Sequence, residues 1–105
     1  MIEVEHIIDG NKSLFTIIFD RSVMKHMGVK CDDSLNFFQS KFKCDLFTLF
    51  KADTGYRITR CPNRKKMYQI NVMQKIETLK EFSSFPVTYY LKKNGIIRFF
   101  IKEGI

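Results

Sequence analysis

Apolar and polar positions alternate with a period of two from the start of the chain. Ile2, Val4 and His6 fall on one side and Glu3 and Glu5 on the other, the signature of a half-exposed strand. "DGNKS" then supplies a turn and "LFTIIF" a more buried strand, so the chain opens on a hairpin. The period next changes to that of a helix. Asp20 is placed to cap a short helix over Arg21 to Met27, Val23, Met24 and Met27 share one of its faces, and Gly28 is placed to end it in the left-handed conformation. In "DDSLNFFQSKF", Leu35, Phe38 and Phe42 fit helical spacing behind an Asp/Ser cap, although the Phe content also suits a strand. The spacing favours a helix there, and "DLFTLFKA" follows as a strand with Leu46, Thr48 and Phe50 opposite Phe47 and Leu49.

Alternation resumes in "GYRITRCPNRKKMYQI". Tyr56, Ile58 and Arg60 oppose Arg57, Thr59 and Cys61, and beyond a loop Tyr68, Ile70 and Val72 oppose Met67, Gln69 and Asn71. Pro62 presets φ for the first central turn position and Asn63 tolerates the next, so "CPNRKK" is a loop whose tip presents Arg64, Lys65 and Lys66. Met73, Ile76, Leu79 and Phe82 form an apolar stripe, predicting an amphipathic helix over Met73 to Ser83 that Pro86 prevents from continuing. "VTYYLKKNGIIRFFIKE" reads as a hairpin around Asn94-Gly95, the pair that suits a type I′ turn. The order strand, helix, two strands thus occurs over residues 13–52 and again over 66–103, which reads as two βαββ units with slight identity between them. The expected fold is α+β: one small domain over residues 1–105, mostly antiparallel sheet, with two or three short helices.

Length and composition agree with that pattern. A chain of 105 residues, 45% hydrophobic and with eleven Phe, can bury one core without help from metals or disulfides. The amino-terminal stretch is acidic, and the longest apolar run, Leu14 to Phe19, spans six residues with Thr16 inside it. Neither a signal peptide nor a membrane span is expected, and the expected address is the cytoplasm, that of a host if the source is a phage or virus. Cys31, Cys44 and Cys61 are odd in number and widely spaced, so reduced thiols are expected. With only His6 and His26 to join them, no metal and no cofactor are expected.

Charge changes the picture more than composition does. The formal net charge is +7, residues 1–52 are neutral, and residues 53–105 carry all of the excess. Such asymmetry makes a directional positive field that steers polyanions toward one face. Arg57, Arg60, Arg64, Lys65 and Lys66 lie within ten positions with no acid among them. A guanidinium fork matches phosphate oxygens or a guanine edge, and Thr59, Asn63 and Gln69 add neutral donors nearby. Lys92, Lys93 and Arg98 extend this footprint if the two hairpins lie side by side, while Arg57 and Arg60 leave opposite faces of one strand. The expected partner is nucleic acid, DNA or else RNA. An acidic host protein, met by an inhibitor or adaptor that uses the same hairpin or pairs through a strand edge, is the alternative.

Catalytic chemistry finds little to work with. Asp32, Asp33 and Lys41, with Gln39 between, are the nearest approach to a nuclease constellation, but an Asp-Asp pair ahead of Ser34 is more often a cap. His26 and Cys31 carry no flanking nucleophile signature, and the five Gly are scattered rather than gathered in a phosphate loop. No enzymatic activity is expected.

Residues 66–103, "YQINVMQKIETLKEF" entering "PVTYYLKKNGIIRFFIK", resemble the last helix and hairpin of the double-wing DNA-binding domain in the MotA family of phage middle-promoter activators. A helix ending near Phe82, an apolar strand, the Lys93 to Gly95 turn and the strand to Lys102 carry the likeness. The first half resembles the swapped-hairpin fold of AbrB-type regulators through a strand leading into "RSVMKHMGVKCDDSLNF", with Asp32-Asp33 in place of the usual small-residue loop and Gly-Asp. Both resemblances imply DNA binding in a small transcription regulator. The MotA type also carries a separate activation domain ahead of its double wing, for which this chain has no room, so activation is not expected.

Overall fold

A computed structural model describes residues 1–9, 12–41, 46–72, 82–87, 90–93 and 95–100. Ten strands and one helix are found among them: β1 (Ile2–Asp9), β2 (Lys12–Asp20), α1 (Arg21–Met27), β3 (Ser34–Gln39), β4 (Leu46–Ala52), β5 (Tyr56–Arg57), β6 (Thr59–Arg60), β7 (Met67–Val72), β8 (Phe82–Val87), β9 (Tyr90–Lys93) and β10 (Ile96–Phe100). Two five-stranded sheets result, a first in the order β6-β7-β2-β1-β8 and a second in the order β5-β3-β4-β10-β9. Every pairing within them is antiparallel.

Alternation decides which side chains lie between the sheets. Ile2, Val4, Phe15, Ile17, Phe19, Ile70 and Val72 enter from the first sheet, and Leu35, Phe37, Phe47, Leu49, Ile97 and Phe99 from the second, all in one core. The aromatic rings join the layers: Phe37 and Phe47 stack at 5.2 Å, and Phe15 reaches them from the opposite sheet at 5.5 and 6.2 Å. Ile58, fully buried, carries the chain from β5 in the second sheet to β6 in the first. The segment read as one strand from Tyr56 to Cys61 is therefore two short edge strands in different sheets. Gly55 precedes them because a Cβ there would stand 2.4 Å from the carbonyl oxygen of Leu35, closer than any side chain tolerates.

Helix α1 forms as its sequence dictates. The Asp20 carboxylate accepts the Val23 amide at 3.2 Å, and Gly28, at φ 68°, closes the other end by donating to Lys25 while Val29 donates to Met24. Val23, Met24 and Met27 seal that end of the sandwich. Burial opposes ionisation of Asp20, but hydrogen bonds from Ser22, the Met1 amino group and the Val23 amide, with the charge of that amino group, outweigh it and lower the carboxyl from 3.8 to about 2. A carboxyl lowered on folding stabilises the fold fully above its unfolded value and ceases to do so as pH falls through the folded one. Asp20→Ala is accordingly expected to cost about 1 kcal/mol in urea denaturation at pH 7. That difference should shrink between pH 3.8 and about 2.

One helical expectation is corrected, and the far end of another is found in a strand. Residues 34–39 form β3, because Leu35 and Phe37 point into the core while Asn36 and Phe38 point out, and pairing with β4 satisfies the backbone. The i, i+3 spacing of Leu35 and Phe38 joined one buried and one exposed side chain, and the Asp33 carboxylate accepts the Lys30 amide instead of starting a helix. Of the helix read over residues 73–83, residues 73–81 lie outside the described residues, and Phe82 and Ser83 belong to β8. Among the described strands β8 pairs with β1 alone and stands at the edge of the first sheet, where Pro86, lacking an amide donor, is tolerated. The order strand, helix, two strands is observed as β2-α1-β3-β4. The strands of residues 66–103 meet that set edge to edge, β7 on β2 and β10 on β4. No helix among the described residues is long and apolar enough to cross a membrane.

Candidate nucleic-acid interface

The "CPNRKK" loop is built as its residues require. The Arg64 amide donates to the Cys61 carbonyl at 3.5 Å, which puts Pro62 and Asn63 at the two central turn positions, and the Cys61 amide donates to Met67 at 3.0 Å to close the β6-β7 hairpin. Lys66 turns the chain back into β7 with φ at 62°. The register Asp20↔Met67 sets this loop beside the start of α1.

Several other segments end at the same pole of the sandwich. The 28–33 loop is tied to the β5-β6 corner by the Asp32 amide on the Ile58 carbonyl and the Ile58 amide on the Asp33 carbonyl. The turn from β9 to β10 also arrives there, since a Cβ on Gly95 would lie 3.9 Å from the carbonyl oxygen of His26. Lys92 and Lys93, at the end of β9, are paired in register with Ile97 and Ile96 at the edge of the second sheet, whereas the "CPNRKK" loop belongs to the first. The two hairpins do not share a sheet, and it is their turns that converge, around the helix.

The five bases of the hairpin fare differently. Arg57 donates from both Nε and Nη2 to Asp32 Oδ1, at 3.0 and 2.7 Å, with both side chains about two-thirds exposed. So exposed a pair is worth about 1 kcal/mol or less, and a phosphate can displace the carboxylate. Arg64 folds back over the outer face of the first sheet and pairs with Glu3. Ile18, paired in register with Glu3, is nearly buried although it points away from the core. Arg60, Lys65 and Lys66 are exposed and their side chains have no partner among the described residues. Arg98 stands elsewhere, on the outer face of the second sheet opposite Thr48.

Helix and loop add cations that a count by halves of the chain conceals. Arg21, Lys25 and Lys30 are exposed at the same pole, again with no side-chain partner among the described residues. The acids there are mostly engaged: Asp20 with the helix and the Met1 amino group, Asp32 with Arg57, Asp33 with the Lys30 amide, and Glu3 with Arg64. Asp53 has no such partner among the described residues and lies two positions from exposed Lys51. The missed signal was the acid-free window "RSVMKHMGVK", which supplies Arg21, Lys25 and Lys30 but is cancelled in the half-chain count by acids on either side.

The acid and thiol candidates do not assemble. β3 separates Asp33 from Lys41 by about 20 Å or more of extended chain. Among the described residues no three of His, Cys, Asp and Glu gather as a metal site would require. Cys31 and Cys61 are free, and Cys44 lies outside the described residues. Comparison with protein-family models, with curated proteins and with solved structures finds no match to this chain.

Proposed function

We propose that this protein binds nucleic acid without chemistry, as a small regulator of the kind the double-wing resemblance implies, through the basic pole around α1. What carries the reading is the imbalance of that pole. Arg21, Lys25, Lys30, Arg60, Lys65 and Lys66 have no side-chain partner among the described residues, while almost every nearby carboxylate is already engaged. Cations so arranged release condensed counterions when they meet a phosphate backbone, which is the main source of sequence-independent affinity. DNA and RNA share that backbone chemistry.

Lys66 supports the same reading from a different direction. A residue with a Cβ in the left-handed region costs roughly 1–2 kcal/mol, which is why Gly or Asn usually holds such a position. A lysine retained there sacrifices stability for its charge. Lys66→Gly should therefore raise the midpoint of thermal unfolding and at the same time weaken binding to random-sequence DNA. A variant both more stable and equally tight would remove Lys66 from the interface.

The second reading is an acidic host protein, favoured by the two-bond grip of Arg57 on the exposed carboxylate of Asp32. Retention on heparin and on random-sequence DNA, eluting with a steep salt dependence, decides for nucleic acid. Pull-down of one host protein with no retention on DNA decides for the alternative.

A further inference from the structure

The outer faces of the two sheets differ in kind. That of the first carries Glu3 and Glu5 and is partly covered by Arg64. That of the second carries Phe38, Phe50, Leu46, Ile96 and Phe100, and no strand position on it is Asp or Glu. The registers Phe38↔Thr48 and Thr48↔Arg98 lay an aromatic ring, a small hydroxyl residue and a guanidinium in one row across β3, β4 and β10. Phe38 is 49% exposed, which with Met1 makes it one of two large hydrophobic side chains so open among the described residues. It meets half-buried Phe50 edge to face at 5.8 Å, beside Thr48, which is nearly buried.

A folded protein gains nothing from Phe38 in water. With Leu46, Phe50, Ile96 and Phe100 half-exposed around it, Phe38 forms one apolar patch, and such a patch marks a surface that meets a partner. A second copy of the chain is a poor occupant, because face-to-face packing about a twofold axis would bring Arg98 toward its own copy with no carboxylate among the described residues of the face to offset it. The ends of β4 and β10 that carry Phe50 and Ile96 open toward the basic pole, where Arg57 is paired in register with Ser34 at the edge of this sheet. Aromatic rings on the sheet face, a guanidinium among them, no acid among its described strand residues, and a cationic rim at one end together match unpaired bases joined by phosphates. A duplex hides the faces of its bases and leaves such rings without a ligand.

We infer that the outer face of the second sheet binds a single-stranded nucleic acid, whose bases stack on Phe38 and Phe50 beside Arg98 while its backbone runs onto the basic pole. This rests on the nucleic-acid reading above and adds to it the strandedness of the ligand. Fluorescence anisotropy with a labelled oligo-dT, the matching oligo-U, and a duplex of equal length tests it. Single strands should bind more tightly than the duplex. Phe38→Ala with Phe50→Ala should weaken single-strand binding roughly 5- to 100-fold and leave duplex binding and the salt slope nearly unchanged. Because the chain has no Trp, Phe38→Trp also provides a lone reporter whose emission should be quenched as a base stacks on it. A duplex bound as tightly as the single strands, or a double variant folded by circular dichroism that still binds oligo-dT like the parent, overturns this inference and leaves the basic pole standing. If none of the three probes binds at low salt, the nucleic-acid reading falls with it. The same double variant losing capture of a host protein would then assign the face to protein docking.

Discussion

Phe47→Ala is expected to destabilise the fold by about 3–5 kcal/mol, a large share of the ~5–15 kcal/mol that holds a domain of this size together. Phe47 is fully buried and lies at the centre of the aromatic cluster, stacked on Phe37 at 5.2 Å and on Phe99 at 6.0 Å within its own sheet, and on Phe15 at 6.2 Å across the core. Truncation removes the ring's transfer energy and leaves a cavity that three other rings border. Those rings come from four different strands counting β4 itself, each fixed in register by its neighbours, so the site has little freedom to collapse. Urea denaturation followed by circular dichroism measures the effect. A loss below ~1 kcal/mol, the size expected for exposed Phe38, would mean that the two sheets do not share this core.

How far the sequence revealed this arrangement varied with the range of the interactions involved. The caps of α1 were legible because Asp20 and Gly28 act within one turn of the helix they bound. The hairpins β1-β2, β6-β7 and β9-β10 were legible because alternation and a turn residue lie side by side in the chain. β3 was misread since Leu35, Phe38 and Phe42 fit a helix equally well, and only a partner strand, β4, settles which period wins. β8 was hidden for a related reason: "FSSFPV" becomes a strand through the free edge of β1, some eighty residues earlier in the sequence. The candidate interface shows the same division. Arg60, Lys65 and Lys66 stood out as a local run, whereas their convergence with Arg21, Lys25 and Lys30 depends on Met67 lying opposite Asp20. Whether Arg57 and Arg64 were unpaired was also a tertiary matter, since Asp32 and Glu3 reach them from distant strands and loops.

The second large effect is on binding. Arg60→Ala combined with Lys65→Ala and Lys66→Ala removes three exposed cations that contribute no ion pair to the described structure. The fold should therefore lose little, with the midpoint of thermal unfolding nearly unchanged. Affinity for a labelled oligonucleotide at about 50 mM salt should fall roughly a hundredfold or more, equally for all sequences, because phosphate contacts carry no sequence information. Arg64→Ala is the informative contrast. It removes the cation that pairs with Glu3, so it should cost less binding than any one of the three.

The most direct test of a phosphate-binding pole is the slope of log affinity against log salt concentration, measured for the parent and the triple variant on the same oligonucleotide. The parent should lose affinity steeply as salt rises. The variant's line should be flatter by roughly 0.7 to 0.9 for each phosphate contact removed, about 2 to 3 in all. Parallel lines for the two proteins, or a parent whose binding does not depend on salt, would contradict the account and return Arg60, Lys65 and Lys66 to the role of solvated surface charge.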